Sequence, residues 1–228
     1  FAKTNYNNNL LINGKILIDC GFTAGTGFHK MGRSLAQVDH IFITHTHADH
    51  IGGLEEMGFF NNFVNNGKKP NLYLPEPLLN RLWENSLKGG MEDIESGAAT
   101  IEDYCSVQLA KPEFEIEGIP FQIVPTFHIP NRFCCGLKIA NRIFFSGDTQ
   151  FDADMVLKYG TDAERIYHDA QFFTGGVHAS LDELMTLPGE IRQKTWLMHM
   201  PDDYVNHVDR AKEAGFRITE QHTAYTFD

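Results

Sequence analysis

Residues 44–50 read THTHADH: three histidines and an aspartate within seven positions, directly after the apolar run HIFIT at 40–44. His45 and His47 are two residues apart. In an extended segment both side chains leave the backbone on one face, so the two imidazoles can share a metal. Asp49 and His50 come at the turn into the next segment and suit a second, neighbouring metal. Imidazole and carboxylate donors without cysteine are the chemistry of a catalytic site rather than a closed structural one. Four donors cannot complete two sites, so further His or Asp residues are expected where later strands end.

Three such residues are present. His128 follows the strand pattern IPFQIV (119–124), Asp148 follows RIFFSG (142–147), and His199 stands near the end of TWLMHM (195–200). Each falls at a strand-to-loop junction, where an α/β sheet presents functional groups.

Working outward, LLINGKILID (10–19) places Asn13-Gly14 between two apolar runs, the signature of a tight β-hairpin. A Gly- and Thr-rich loop is expected after Gly21. Apolar spacing predicts helices over 51–66 and from Pro75 to about Leu87, with the strand LYLP (72–75) before the second. CCGLKI (134–139), RIYHDA (165–170) and RITE (217–220) read as further strands, and 153–159 and 202–214 as helices. Ser180 with Glu183 three residues on forms a capping box that opens another helix. Hairpins mixed with alternating strands and helices imply an α/β fold and one domain over 1–228. The weakly periodic, acidic stretch at about 89–118 reads as an irregular insertion.

The net charge is −11, and Lys68-Lys69 is the only adjacent basic pair. A protein that grips a long polyanion needs a basic stripe, so no large nucleic-acid footprint is expected. No apolar run reaches the roughly 18 residues of a membrane span, and no membrane partner is expected. The four cysteines (Cys20, Cys105, Cys134, Cys135) show no pairing pattern. With no export signal at the start of the quoted chain, they read as reduced thiols in a cytoplasm.

THTHADH resembles the HxHxDH signature of the metallo-β-lactamase superfamily, and the resemblance extends from LIDCG (17–21) to the last helix. It implies an αββα sandwich, two mixed sheets flanked by helices. It further implies that His45, His47 and His128 hold one divalent metal, that Asp49, His50 and His199 hold a second, and that Asp148 bridges them. Zn²⁺ is the expected metal, with Mn²⁺ the alternative. HDAQF (168–172) is similar to the HEAT motif of the ribonuclease Z branch with Asp169 in the glutamate's place, and HAS (178–180) to that branch's HxT/HxS loop. A carboxylate beside an imidazole keeps the ring oriented and its proton available, so His178 would donate to a leaving alkoxide, with Asp169 as its partner and Asp49 as a further proton acceptor. The alternative for His178 is a structural part in its loop, and His168 is expected to pack beneath the site.

Ribonuclease Z enzymes that cut tRNA carry a basic, Gly-rich arm. Here the corresponding segment holds Glu92, Asp93, Glu95, Glu102, Asp103, Glu113, Glu115 and Glu117. LIDCG, HIFITHTHADHIGGLEEMGF, LYLP and LWENSL look instead like the anti-Pycsar cyclic-nucleotide phosphodiesterases of phages and bacteria. That resemblance implies water-dependent opening of small 3′,5′-cyclic nucleotides, immune signals among them, in the host cytoplasm where the gene is a phage's. The alternatives are a tRNA 3′-endonuclease or an ester or lactam hydrolase on the same metals. Members of this branch are usually homodimers; Phe59, Phe60, Phe63 and the 76–88 helix with Trp83 are candidate interface positions, with core packing as the other reading.

Overall fold

Asn13 and Gly14 adopt φ of 49° and 73°, left-handed conformations at the centre of a tight turn closed by the Lys15 N–H on the Ile12 carbonyl (3.1 Å). The turn joins β1 (Leu10–Ile12) to β2 (Ile16–Ile18) in antiparallel register. The computed structural model describes residues 2–5 and 7–227, and the chain divides into two compact units.

The first unit, Asn7–Lys111, is built on a five-stranded mixed sheet. β2 pairs in parallel with β3 (His40–Phe42), and β3 with β4 (Asn71–Leu74). A separate two-residue hairpin, β5 (Asp93–Ile94) and β6 (Gly97–Ala98), precedes β7 (Ser106–Leu109), which closes the sheet beside β4. All residues of β2 and β3 are buried, which is why these strands read as continuous apolar runs instead of alternating ones. The helices are α1 (Ala24–Lys30), α2 (Ala48–Ile51), α3 (Leu54–Phe59), α4 (Glu76–Leu82), α5 (Lys88–Met91) and α6 (Ile101–Tyr104). π-helical turns at Phe60–Val64 and Trp83–Leu87 extend α3 and α4.

Several expectations change here. The segment after Gly21 is helix α1, not a loop; its two glycines weaken helix propensity, but Ala24, Gly27 and Phe28 bury one face and carry it. The helix expected over 51–66 is interrupted at Gly52-Gly53, where the Gly53 N–H leaves the helical ladder and donates to the Cys20 carbonyl (2.8 Å); that close approach leaves no room for a side chain, since a Cβ at Gly53 would lie 2.4 Å from the Gly21 carbonyl oxygen. The stretch 89–118 is ordered into short elements rather than irregular. Strands such as Glu113–Ile116 alternate acid with apolar residue, a period too brief to stand out along the chain. Of the candidate interface positions, Trp83 takes the core-packing reading, whereas Phe63 is 63% exposed.

The second unit comprises residues 2–5 and 112–227. An antiparallel meander of β8 (Glu113–Ile116), β9 (Ile119–Thr126), β10 (Cys134–Ile139) and β11 (Ile143–Phe145) continues into three parallel strands, β12 (Arg165–Asp169), β13 (Thr195–Met198) and β14 (Arg217–Ile218). α7 (Ala153–Gly160), α8 (Leu181–Leu184), α9 (Gly189–Gln193) and α10 (Val208–Glu213) supply the crossovers. Phe144, Ile166 and Leu197 from the strands pack with Val156, Leu184 and Ile191 from the helices, all at most 2% exposed. Each such side chain contributes about 1.5–3 kcal/mol of burial. The capping box at Ser180 and Glu183 forms as expected. Residues 3–5 are tied to the β13–α10 loop, where the Asp202 carboxylate accepts from the backbone N–H groups of Lys3, Thr4 and Asn5. Among the described residues, no helix is long and apolar enough to cross a membrane.

Candidate metal centre

In the first unit the donors gather where β2 and β3 end. Asp19 follows β2 in a left-handed conformation (φ 59°) and is fully buried. Non-glycine residues in that region are strained and cluster at functional sites. Its carboxylate accepts from the Thr44 backbone N–H (2.8 Å), the Thr44 hydroxyl (2.7 Å) and His50 Nδ1 (2.8 Å). The Thr44 hydroxyl oxygen also lies 3.2 Å from His45 Nδ1. One carboxylate therefore orients both His45 and His50 through their Nδ1 atoms and leaves each Nε2 directed elsewhere. His45 Nε2 lies 3.1 Å from His47 Nδ1, and His50 Nε2 lies 3.8 Å from the Asp49 carboxylate. His45, His47, Asp49 and His50 thus converge within this unit, the His45 and His50 rings 4.0 Å apart between centroids. Burial pushes the Asp19 carboxyl above the ordinary carboxylate range, against the pull of His50 and Thr44.

In the second unit the donors gather at the ends of β9, β11, β12 and β13. Gly147 (φ 60°) lets the chain turn beside β10, where a Cβ would lie 2.6 Å from the Cys135 carbonyl oxygen; the turn sets Asp148 in place. One Asp148 carboxylate oxygen lies 3.3 Å from His199 Nε2, 3.9 Å from His128 Nε2 and 3.9 Å from His178 Nδ1. Asp148 and His128 are 2% and 1% exposed. His199, like Asp19, is in the left-handed region (φ 54°). His128 donates through Nδ1 to the Val177 carbonyl (2.7 Å), which turns its Nε2 toward Asp148. A backbone carbonyl that accepts from one ring nitrogen fixes the tautomer of a metal-binding imidazole. Burial lowers the His128 pKa, with the Asp148 charge opposing, and so favours the neutral ring that a metal requires.

Asp169 ends β12 fully buried, and its carboxylate is crowded with donors. His178 Nδ1 lies at 2.8 Å, the Thr149 backbone N–H at 3.1 Å and His168 Nδ1 at 3.1 Å. Burial raises the carboxyl pKa, but the hydrogen bonds from His168 and His178 outweigh it and hold Asp169 below the ordinary value. The shorter aspartate therefore still reaches His178. Asp148, Asp169 and His178 each offer a donor atom within 4.8 Å of the others. His168 is wholly buried beneath this group, as expected, with Nδ1 also 2.8 Å from the Asp169 carbonyl oxygen.

Each unit's cluster of imidazoles and carboxylates is chemistry suited to a divalent metal ion. A family model described as "Anti-Pycsar protein Apyc1" matches residues 1–225. The chain belongs to the Anti-Pycsar Apyc1 family. A curated Apyc1 protein of Bacillus phage BSP38 is 41% identical over 96% of this chain and 91% of its own length. One from Paenibacillus sp. (strain J14) is 36% identical over 99% and 94%. Among solved structures, the metallo-β-lactamase fold protein YhfI from Bacillus subtilis superposes with a TM-score of 0.71 at 14% identity, over 97% of this chain and 92% of that one. The chain thus has the metallo-β-lactamase fold.

Within each unit every donor singled out from the sequence falls in that unit's cluster. Sequence reading missed Asp19, Thr149 and Val177. Asp19 carried a usable signal, an acid at a strand end in LIDCG. Val177 acts through its backbone carbonyl, and a side-chain motif is blind to that.

Proposed function

We propose that this chain is a metal-dependent phosphodiesterase that opens small 3′,5′-cyclic nucleotides. In this reading His45, His47 and His128 hold one divalent ion, Asp49, His50 and His199 hold the other, and Asp148 serves both. Zn²⁺ is the proposed metal and Mn²⁺ the alternative. The family model spans residues of both units, which supports treating the chain as one catalytic domain. When bound, such ions supply Lewis acidity for activating water and for neutralising charge on phosphoryl oxygens.

The single observation that carries the reading is the Asp169–His178 pair, 2.8 Å apart, beside Asp148. Hydrolysing a phosphodiester requires a proton for the departing oxygen. His178 donates it from Nε2 while its Nδ1–H stays on Asp169, so the carboxylate orients the ring and stabilises its charged form. Asp49 accepts a proton from the attacking water. The exposed acids Asp93, Glu95, Glu102, Asp103, Glu113, Glu115 and Glu117 disfavour a tRNA substrate and leave a small anionic nucleotide as the fitting one. A homodimer is proposed, with exposed Phe63 and Val64 at the contact, and the host cytoplasm as the place of action.

The test is a panel. Zn²⁺- or Mn²⁺-loaded protein is incubated with cyclic mononucleotides, a 3′-extended pre-tRNA, and an aryl phosphodiester. Turnover of the cyclic nucleotides is expected. Processing of the pre-tRNA with inert cyclic nucleotides overturns the proposal.

A further inference from the structure

HDAQ differs from the HEAT pattern at two positions, and the second change, Gln171, has no part in the chemistry above. Gln171 is 5% exposed and stands where the chain leaves β12 for the loop 172–178. Its backbone closes the base of that loop: the Gln171 N–H donates to the Ala179 carbonyl and its carbonyl accepts from Leu181 N–H, both at 2.9 Å. Its side-chain amide reaches inside. Nε2 donates to the Phe173 carbonyl (2.9 Å) and to the Gly175 carbonyl. An amide carries two N–H donors, and the loop uses both. Gly175 and Gly176 take φ of 83° and 106°, and a Cβ at Gly176 would stand 3.3 Å from the Gln171 amide. The loop is folded around that one side chain.

The far end of the loop carries two groups of the site. The Val177 carbonyl holds His128 by Nδ1, and His178 holds Asp169 by Nδ1. A threonine at 171 has neither the length nor the second donor to reach both carbonyls.

We propose that Gln171 is a positioning residue that staples the 172–178 loop, and through it sets the orientation of both His128 and His178. The inference rests on the phosphodiesterase reading for its catalytic consequence but not for its structural one. Asp169 is a methylene shorter than the motif's glutamate, so His178 has to be brought in to meet it; the Gln171 staple is what holds it there.

The test compares wild type with Gln171→Thr and Gln171→Met, each verified as folded by its cooperative melt. The first readout is hydrogen exchange of the 172–178 amides, with the ¹⁵N signature of the His178 and His128 rings, in metal-free protein. Faster exchange in the loop and loss of single ring tautomers are expected. The second is the apparent affinity for Zn²⁺, expected to fall about 10-fold or more, as when the hydrogen-bond partner that orients a metal-binding imidazole is lost. The third is turnover at saturating metal. A 3′,5′-cyclic nucleotide has an alkoxide leaving group and depends on the His178 proton, so its kcat is expected to fall at least 10-fold with KM nearly unchanged. An aryl phosphodiester expels an aryloxide, which departs without being protonated, and its rate is expected to stay within about threefold. Unchanged loop exchange and ring signals in both variants overturn the staple. A wild type inert toward both diesters overturns the functional reading alone, since the exchange and ring signals still decide the staple.

Discussion

Replacing Asp19 with asparagine tests whether a buried carboxylate that touches no substrate sets the ligand geometry. One carboxylate oxygen takes the Thr44 N–H; the other takes the Thr44 hydroxyl and His50 Nδ1. An asparagine has one oxygen and one NH₂, so it can satisfy only one side. With its oxygen toward His50, the NH₂ meets the Thr44 N–H, two donors 2.8 Å apart, and a buried donor is orphaned at about 1–3 kcal/mol. With its oxygen toward the Thr44 N–H, the NH₂ meets the hydroxyl, which rotates to accept, and His50 Nδ1, which accepts by moving its proton to Nε2. The second arrangement is cheaper for the fold, but it blocks the nitrogen proposed to meet the metal.

The magnitudes then separate. Burial already lifts the Asp19 pKa, so removing the charge returns part of the desolvation cost. The net destabilisation is about 1 kcal/mol, a fall of roughly 2–4 °C in melting midpoint for a chain of this size. Metal affinity is expected to fall about 10–100-fold. Calorimetry of the metal-free protein and competition with a chromophoric chelator measure the two, and ¹⁵N spectra of His50 report the tautomer. Wild-type metal affinity with His50 still protonated on Nδ1 would refute the reasoning.

Asp148→Ala and His47→Ala are each expected to abolish phosphodiesterase activity while circular dichroism and melting stay close to wild type; full turnover in either variant, with metal depletion verified, sinks the two-metal scheme. Asp202 is held down to about 2 by the Thr4 hydroxyl and the backbone N–H groups of Lys3 and Thr4. Because the folded pKa is depressed, its stabilisation is present above the unfolded value near 3.8 and lost as pH falls toward 2. The melting difference between wild type and Asp202→Ala should therefore be constant above pH 5 and shrink between pH 4 and pH 2; a difference that grows on acidification refutes it. Gly147→Ala combines a φ of 60° with a Cβ 2.6 Å from the Cys135 carbonyl oxygen. It should cost about 1–3 kcal/mol and displace Asp148, seen as a lower melting midpoint and weaker metal binding than in a Gly118→Ala control, where a Cβ meets open space.

Much of the fold was legible because local chemistry and tertiary demand agree. Asn13-Gly14 can turn only as it does, and the Ser180–Glu183 box opens α8 as expected. Disagreement arose where packing overrode propensity. Helix α1 forms despite two glycines because Phe28 is drawn into the core, and the 51–66 helix is interrupted where the Gly53 N–H donates to the Cys20 carbonyl instead of to its own ladder. The acidic 89–118 stretch is ordered by strand pairing, which a weak one-dimensional period does not announce.

THTHADH by itself determined the chemistry on offer: imidazoles and a carboxylate, paired by spacing, with their complement due at later strand ends. Residue type and short-range geometry suffice for that, because a strand's alternation decides which donors share a face. Orientation was decided only by the tertiary structure. Asp19 turns His45 and His50, the Val177 carbonyl turns His128, and Asp169 turns His178. A hydrogen bond between residues 25 or 49 positions apart leaves no period in the chain; it exists only once the backbone has brought donor and acceptor within 3 Å.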